Sequence, residues 1–336
     1  MWDLADTLLS NEDYILHGTR TGPEAAASED LLLKAEAPAD PKLGQLAKPY
    51  SLASLIDMAT ADAEKRFIAR AEGRPLGPLF PISVINQHIG DCLAPGFHTL
   101  HGSPGSGKTT LALQTACCCQ CPALFVTTEM PPVELLRRIS SRVTRIPFSE
   151  FKSGKMDPED CRQAFIKGAQ SAPDLVILDS TTAAAEPKDV HRHARRLFRA
   201  AGSEHYLVVI DSVHTFARRY MPEYTEYDAL DATISALQQV ALGTPDSADV
   251  SESTPIPVLG IAERNRSSMK DGGKSASAGH RLFEYAPETV IGMDVIDKTC
   301  DPYGVREVSI SIEKNRHGDT KDFRVKFNGR TGEFSI

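Results

Sequence analysis

Gly102-Ser103-Pro104-Gly105-Ser106-Gly107-Lys108-Thr109-Thr110 is the stretch whose reading decides the fold. It satisfies the pattern G-x-x-x-x-G-K-[ST] at every constrained position, and each constraint has a physical reason. Glycines let consecutive backbone N–H groups curl around phosphate oxygens, the lysine reaches the β- and γ-phosphates, and the adjacent hydroxyl holds Mg2+. The flanks agree. Phe97-His98-Thr99-Leu100-His101 reads as a short strand before the loop, and Leu111 to Ala116 as a helix after it without Gly or Pro. Strand, loop and helix is the order that such a motif needs. Residues 102–110 are therefore expected to bind a nucleoside triphosphate with Mg2+.

Working outward, strands and helices alternate. The expected strands are Phe97–His101, Ala123–Thr128, Asp174–Asp179, Tyr206–Asp211 and Pro257–Ala262, with helical patterns starting near Lys108, Pro132, Pro158, Asp189 and Tyr224. Near-continuous apolar runs such as Leu175–Leu178 and Leu207–Ile210 suit a parallel sheet covered on both faces, which makes the class α/β. Toward the end, Thr289–Ile296, Arg306–Glu313, Asp322–Phe327 and Glu333–Ile336 read as successive strands, the last two joined by a turn at Asn328-Gly329. They predict an antiparallel extension that closes one sheet edge.

Upstream, Leu52, Leu55, Ile56, Ala59, Ala63, Phe67 and Ile68 keep helical spacing until Gly73-Arg74-Pro75 ends it. An amphipathic helix of this kind needs a partner for its stripe. Residues 1–48 hold nine acids and four bases among Ala, Pro and Gly, and read as a disordered acidic arm. That arm carries five of the net eight negative charges, so a local basic surface elsewhere is compatible with the acidic total. No run approaches the ~20 apolar residues of a membrane span and the N-terminus lacks a cleavable signal, so a cytoplasmic protein without membrane contact is expected. Cys117, Cys118, Cys119 and Cys121 crowd together without a second pair at zinc-ribbon spacing, and read as small packing residues.

Two apolar strands end in an aspartate, Leu207-Val208-Val209-Ile210-Asp211 and Leu175-Val176-Ile177-Leu178-Asp179, and either matches the carboxylate that completes a P-loop Mg2+ site with Thr109. Glu129, in Val126-Thr127-Thr128-Glu129-Met130, stands at the tip of the strand after the P-loop helix, where ligands of open α/β sheets sit. It is the candidate for polarising an attacking water; the alternative is an acid at the start of the helix opened by Pro131 and Pro132.

The order of residues from Thr127 to Asp179, with Thr-Glu-Met, Leu135 to Arg138, then Lys152-Ser153-Gly154-Lys155-Met156 before Pro158-Glu159-Asp160, resembles the motor domain of DnaB-type replicative helicases within the RecA superfamily. Downstream, Ile210-Asp211-Ser212 looks like that family's Walker B, Gly260 to Arg266 like its sensor strand, and Ile312-Glu313-Lys314-Asn315-Arg316-His317-Gly318 like its finger strand. The resemblance covers residues 50–336. It implies a RecA-like P-loop core over 79–336, with a mostly parallel central sheet flanked by helices and an antiparallel C-terminal extension. It further implies a linker helix over 49–78 that docks on the next subunit of a hexameric ring, ATP as nucleotide, and Asp211 as the choice between the two aspartates. Two features depart from the pattern: Glu263 stands where the family usually has glutamine, and 1–48 cannot build the family's N-terminal helical domain.

Arg264 to Arg281 contains five Lys/Arg and one Asp in a Gly/Ser-rich stretch. Arg264, Arg266, Lys270 and Lys274 are thus candidates for tracking a single-stranded DNA backbone, against a solvated loop as the alternative. Arg192, Arg195, Arg196 and Arg199 make a guanidinium stripe on one helix face, read as a solvated or subunit-facing surface. Lys314 and Arg316 flank Asn315 and share a face, since strand side chains alternate. The resemblance implies that they reach the neighbouring subunit's γ-phosphate; the alternative is a surface pair balancing Glu313 or Asp319. The expected function is an ATP-hydrolysing ring motor on single-stranded DNA, helicase-like. A RadA/KaiC-like regulatory or recombination-associated ATPase, whose nucleotide state controls assembly with a protein partner, is the other class.

Overall fold

The computed structural model describes residues 50–243, 255–263, 282–297 and 299–336. The acidic arm 1–48 and the basic loop residues Arg264, Arg266, Lys270 and Lys274 lie outside the described residues. The chain divides into two compact units between Arg74 and Pro75.

In the first unit, helix α1 (Ile56–Ala71) follows a short 3-10 turn. It stops where Gly73 takes φ +67°, and the Arg74 N–H returns to the Ala69 carbonyl at 2.8 Å. A left-handed residue just past a helix end is most easily supplied by glycine. The apolar stripe is exposed at Leu52, Ile56, Phe67 and Ile68.

The second unit is a nine-stranded sheet in the order β3-β2-β4-β5-β1-β6-β7-β8-β9. Its strands are β1 (Gly96–Gly102), β2 (Ala123–Thr127), β3 (Leu175–Asp179), β4 (Leu207–Asp211), β5 (Pro257–Glu263), β6 (Thr289–Val295), β7 (Val305–Asn315), β8 (Lys321–Asn328) and β9 (Glu333–Ser335). All neighbours from β3 to β6 pair in parallel, and β7, β8 and β9 continue antiparallel. The fold is α/β with a mostly parallel central sheet, flanking helices and an antiparallel C-terminal extension.

The period of two divides β4 between two cores. Leu207 and Val209 join the core that holds α2 (Ser83–His88), α3 (Lys108–Cys118) and α4 (Pro132–Thr144), whereas Val208 and Ile210 join the one on the other face. That second core holds α7 (Pro187–Ala201), α8 (Val213–Tyr220) and α9 (Glu226–Leu242), after α5 (Glu150–Ser153) and α6 (Pro158–Gln170) in chain order. Burying each such aliphatic side chain contributes about 1.5–3 kcal/mol. The helix starts follow capping chemistry. Asp157 accepts from the Glu159 N–H, Thr225 accepts from the Asp228 N–H, and Glu186 with Asp189 forms a reciprocal box.

Two readings of the strands need correction. Leu175–Leu178 is not covered on both faces: β3 is the sheet edge, and Val176 is 43% exposed where Val208 is fully buried. An apolar run alone does not distinguish an edge strand from an inner one. Thr289–Val295 belongs to the parallel part, beside β1, so the antiparallel extension starts one strand later than expected. Among the described residues no helix is long and apolar enough to cross a membrane. All seven cysteines are free thiols, and the arginine stripe on α7 exposes Arg192, Arg196 and Arg199.

Candidate active site

The P-loop joins β1 to α3, and its glycines answer to contacts as well as to phosphate. Gly102 has φ +155°, and a Cβ there would lie 2.1 Å from the Met293 carbonyl oxygen of β6. At Gly107, φ +96°, a Cβ would meet the Phe334 ring at 2.7 Å. Phe334 stacks on Phe327 with centroids 4.4 Å apart, and Gln114 of α3 exchanges two hydrogen bonds with the Phe334 backbone, at 3.0 and 2.8 Å. The C-terminal strands thus form the floor under the loop.

Lys108 Nζ donates to the carbonyls of Gly102 at 2.9 Å and Ser103 at 3.2 Å. Burial pushes its ammonium below the usual lysine range, against the pull of Glu263, Asp211, Glu129 and Asp294. Register explains Glu263, which pairs with Gly102 across β5 and β1. Asp211, only 4% exposed, accepts a hydrogen bond from Thr109, and burial drives its carboxyl up to about 7, with Glu129 adding to the rise. Lys108 and Arg138 pull it the other way. Ser106 Oγ is buried without a hydrogen-bond partner among the described residues.

Glu129 is held in place. Its Oε1 accepts from Ser212 Oγ at 2.6 Å and Thr215 Oγ1 at 2.8 Å, so α8 fixes the carboxylate from the β4 side. Thr128 donates its N–H and its hydroxyl to the Asp211 carbonyl, at 2.8 and 2.9 Å, which ties the tips of β2 and β4 together. Asp179, by contrast, bonds Thr181 of its own loop at 2.6 and 2.9 Å. It ends the edge strand four positions from β1, about 19 Å across the sheet, whereas Asp211 is two positions away. Lys108, Thr109, Glu129 and Asp211 therefore gather at one end of the sheet, and Asp179 stays apart.

Residues 87–243, which contain these groups, match the family model of the DnaB-like helicase C terminal domain. The chain resembles a DnaB-type, RecA-like motor domain. Two solved structures carry the same fold. One is an ATPase domain with TM-score 0.67 and 15% identity, covering 83% of this chain and 97% of that one. The other is a DnaB-like replicative helicase, described with its interactions with primase, also at TM-score 0.67 and 15% identity, covering 98% of this chain and 75% of that one. DnaB-like ATPases generally use ATP and Mg2+, and the donor set here fits them: an orphaned hydroxyl in the loop, a folded-back ammonium, and a carboxylate beside a threonine hydroxyl.

Lys314 and Arg316 lie at the opposite end of the same strands. Asn315 pairs with Thr289, which pairs with His98, whereas the P-loop starts at Gly102 opposite Met293. That offset is about 13 Å along β6, and β7 lies two strands from β1. The expected separation from the P-loop is present, but it runs along the strands instead of out to an edge. Lys314 Nζ donates to the Tyr285 carbonyl at 2.7 Å, and Arg316 reaches the same oxygen at 3.5 Å, so the two share a face. The anion that balances them is not Glu313 or Asp319: Arg316 pairs with Glu288 at 2.8 Å.

Sequence reasoning passed over several groups. Ser212 caps α8 by accepting from the Thr215 N–H directly after β4, and nothing local in the sequence joins Ser212 or Thr215 to Glu129. Arg306, on β7, donates to the Gly105 carbonyl of the P-loop and lies 5.2 Å over the Phe327 ring. Arg138 lies 5.0 Å over the Phe148 ring. No short-range signal announces either contact.

Proposed function

We propose that the chain is an ATP-hydrolysing motor that assembles into a ring, hexameric by resemblance, and acts on single-stranded DNA in the manner of a helicase. The observation that carries this reading is the placement of Lys314 and Arg316 at the strand ends opposite the P-loop of their own chain. Cations so placed serve a nucleotide only when another subunit brings it to them, as an arginine finger does in trans.

Within one subunit the roles follow from position. Lys108 and the backbone N–H groups of the loop residues from Gly102 to Thr110 other than Pro104 hold the phosphates, Ser106 Oγ gaining the partner it lacks. Thr109 and Asp211 would hold Mg2+, which when bound offsets phosphate charge and holds Asp211 ionised. Glu129 orients and polarises water, its carboxylate kept at one angle by the Ser212 and Thr215 hydroxyls. Glu263, a carboxylate beside Lys108, takes the place of a neutral sensor. Helix α1 covers its exposed stripe on a neighbouring subunit, and Arg264, Arg266, Lys270 and Lys274 track the DNA backbone.

The test is ATP turnover with and without single-stranded DNA across a salt series. DNA-stimulated turnover supports the motor. Replacing the four loop cations by Ala should flatten the log–log salt dependence of DNA binding by about 0.7 for each phosphate that is no longer neutralised. Turnover indifferent to DNA would favour a regulatory, RadA/KaiC-like ATPase.

A further inference from the structure

A buried pair of side chains spans the sheet between the P-loop and the finger strand. His101, 1% exposed, immediately precedes Gly102 on β1, and its Nε2 lies 2.9 Å from Oε2 of Glu313 on β7. Strand β6 runs between them, and the position that separates them is Gly292, paired with His101 on one side and with Ser311 on the other. A Cβ at 292 would lie 2.4 Å from Glu313 Oε1 and 2.6 Å from Ser311 Oγ. The glycine leaves bare backbone over which the two side chains meet.

Glu313 is also the extra residue of a β-bulge. Ile291 pairs with Ile312 and Val290 with Lys314, so nothing on β6 stands opposite Glu313. A bulge bends its strand and re-aims the side chains that follow. Here those side chains are Lys314, Asn315 and Arg316. This corner is also held by hydrogen bonds from Asn315 to the carbonyls of His88 at 2.6 Å and Asp319 at 3.1 Å, from the Arg316 N–H to the Glu288 carbonyl at 3.1 Å, and from Ser311 Oγ to Glu313 Oε1 at 3.3 Å, beside the Lys314 and Arg316 contacts given above.

We propose that Glu313, held by His101 across Gly292, is a positioning residue that sets the aim of Lys314 and Arg316, and that it ties the finger of a subunit to the root of that subunit's own P-loop. The proposal rests on the reading of Lys314 and Arg316 as groups that act in trans. Its physical basis is that a bulge without an anchored side chain can relax, and a displacement of ~1 Å at a catalytic group costs up to about 100-fold in rate.

Three variants test it. Glu313→Ala removes the anchor. Gly292→Ala pushes the carboxylate off His101 while meeting only the mobile ends of two side chains, so the sheet tolerates it. Glu313→Gln keeps an oxygen that can accept from His101. The Ala variants should lose about 10- to 100-fold in turnover, and the Gln variant should stay close to the parent. In hydrogen exchange, amides 314–317 should exchange faster in both Ala variants, with amides 108–118 unchanged. Mixed with Lys108→Ala protein, each Ala variant should regain turnover; mixed with Arg316→Ala protein, neither should.

Parental turnover with unaltered exchange in both Ala variants overturns the proposal. So does rescue by Arg316→Ala, which would place the defect at the P-loop. A control mixture of Arg316→Ala with Lys108→Ala separates the two readings. If that control regains turnover and the Glu313→Ala mixture does not, the proposal fails while the trans finger stands. If the control itself fails, the trans reading is lost, and the exchange data decide: faster amides 314–317 retain Glu313 as an anchor within its own subunit, and unchanged amides remove it.

Discussion

At the P-loop end of the parallel strands the charges are buried and poorly matched, and at the other end they are exposed and paired. Asp211 is 4% exposed with its carboxyl pushed up to about 7, Lys108 is held below the lysine range, and Ser106 Oγ is buried without a partner. Across the sheet the Arg316 side chain is 53% exposed and bonded to Glu288, which His317 also approaches at 3.2 Å. The first arrangement costs stability until a ligand supplies the missing charge and hydrogen bonds. The second can hand a cation to a new anion at low cost, because the Arg316 end of the pair is in water although Glu288 is half-buried, and such a pair contributes on the order of 1 kcal/mol. In the function proposed above, the first end receives a nucleotide and the second offers a cation to one.

The largest expected effect comes from breaking the receiving end at Lys108. Lys108→Ala should reduce ATP turnover to background, by about 1,000-fold or more, with little change in thermal stability because the ammonium bonds only loop carbonyls. Turnover near the parental rate would remove the P-loop from the site. Glu129→Gln should cost about 100- to 10,000-fold in turnover while nucleotide binding persists, since the amide keeps the shape but cannot take a proton. Binding measured by titration calorimetry should stay within a few-fold of the parent; loss of binding would make Glu129 a ligand instead.

Asp211→Asn sharpens the comparison through stability. The folded carboxyl titrates near 7 against an ordinary value of 3.8, so the folded state holds the proton where the unfolded state has released it. The parent should therefore lose stability as pH rises from 3.8 to about 7, and level off above. Without nucleotide, the Asn variant should gain ~2–4 kcal/mol near pH 7.5, several degrees in melting temperature, and lose that pH slope. An unchanged melting temperature would mean that burial does not strain this carboxylate. The smallest effect belongs to the offering end, where Glu288→Gln should shift stability by less than about 1 kcal/mol. A larger loss by denaturant titration would show that the pair is structural.

Much of the receiving end was legible because its chemistry is local. The P-loop is one run of residues, Asp211 ends a strand and Glu129 follows the end of another by two residues, and the carboxyl tips of parallel strands lie at one end of the sheet. The tie between Asp179 and Asp211 was not legible, because both runs are apolar and both end in aspartate; only the strand order separates them. At the offering end the shared face of the two cations was legible, whereas the alternative of a surface pair with Glu313 or Asp319 named the wrong acid. Glu313 is the nearest acid along the chain, but the bulge turns it to His101, and the register brings Glu288 to Arg316 instead. Such pairings depend on strand register across the sheet, which no window of sequence contains. Thr289–Val295 was misplaced for the same reason: a strand's pattern of apolar residues carries no statement of its neighbour's direction.

The central claim is that the two ends of one sheet serve two different nucleotides. Arg316→Ala and Lys108→Ala proteins, each inactive alone, should be mixed and assayed for ATP turnover across ratios, with mixed oligomers verified by mass. Partial recovery, peaking at intermediate ratios, is the predicted result, because some interfaces then join an intact P-loop to an intact Arg316. Absence of recovery at every ratio, in oligomers that demonstrably mix, would contradict the claim and leave Arg316 acting within its own subunit or not at all.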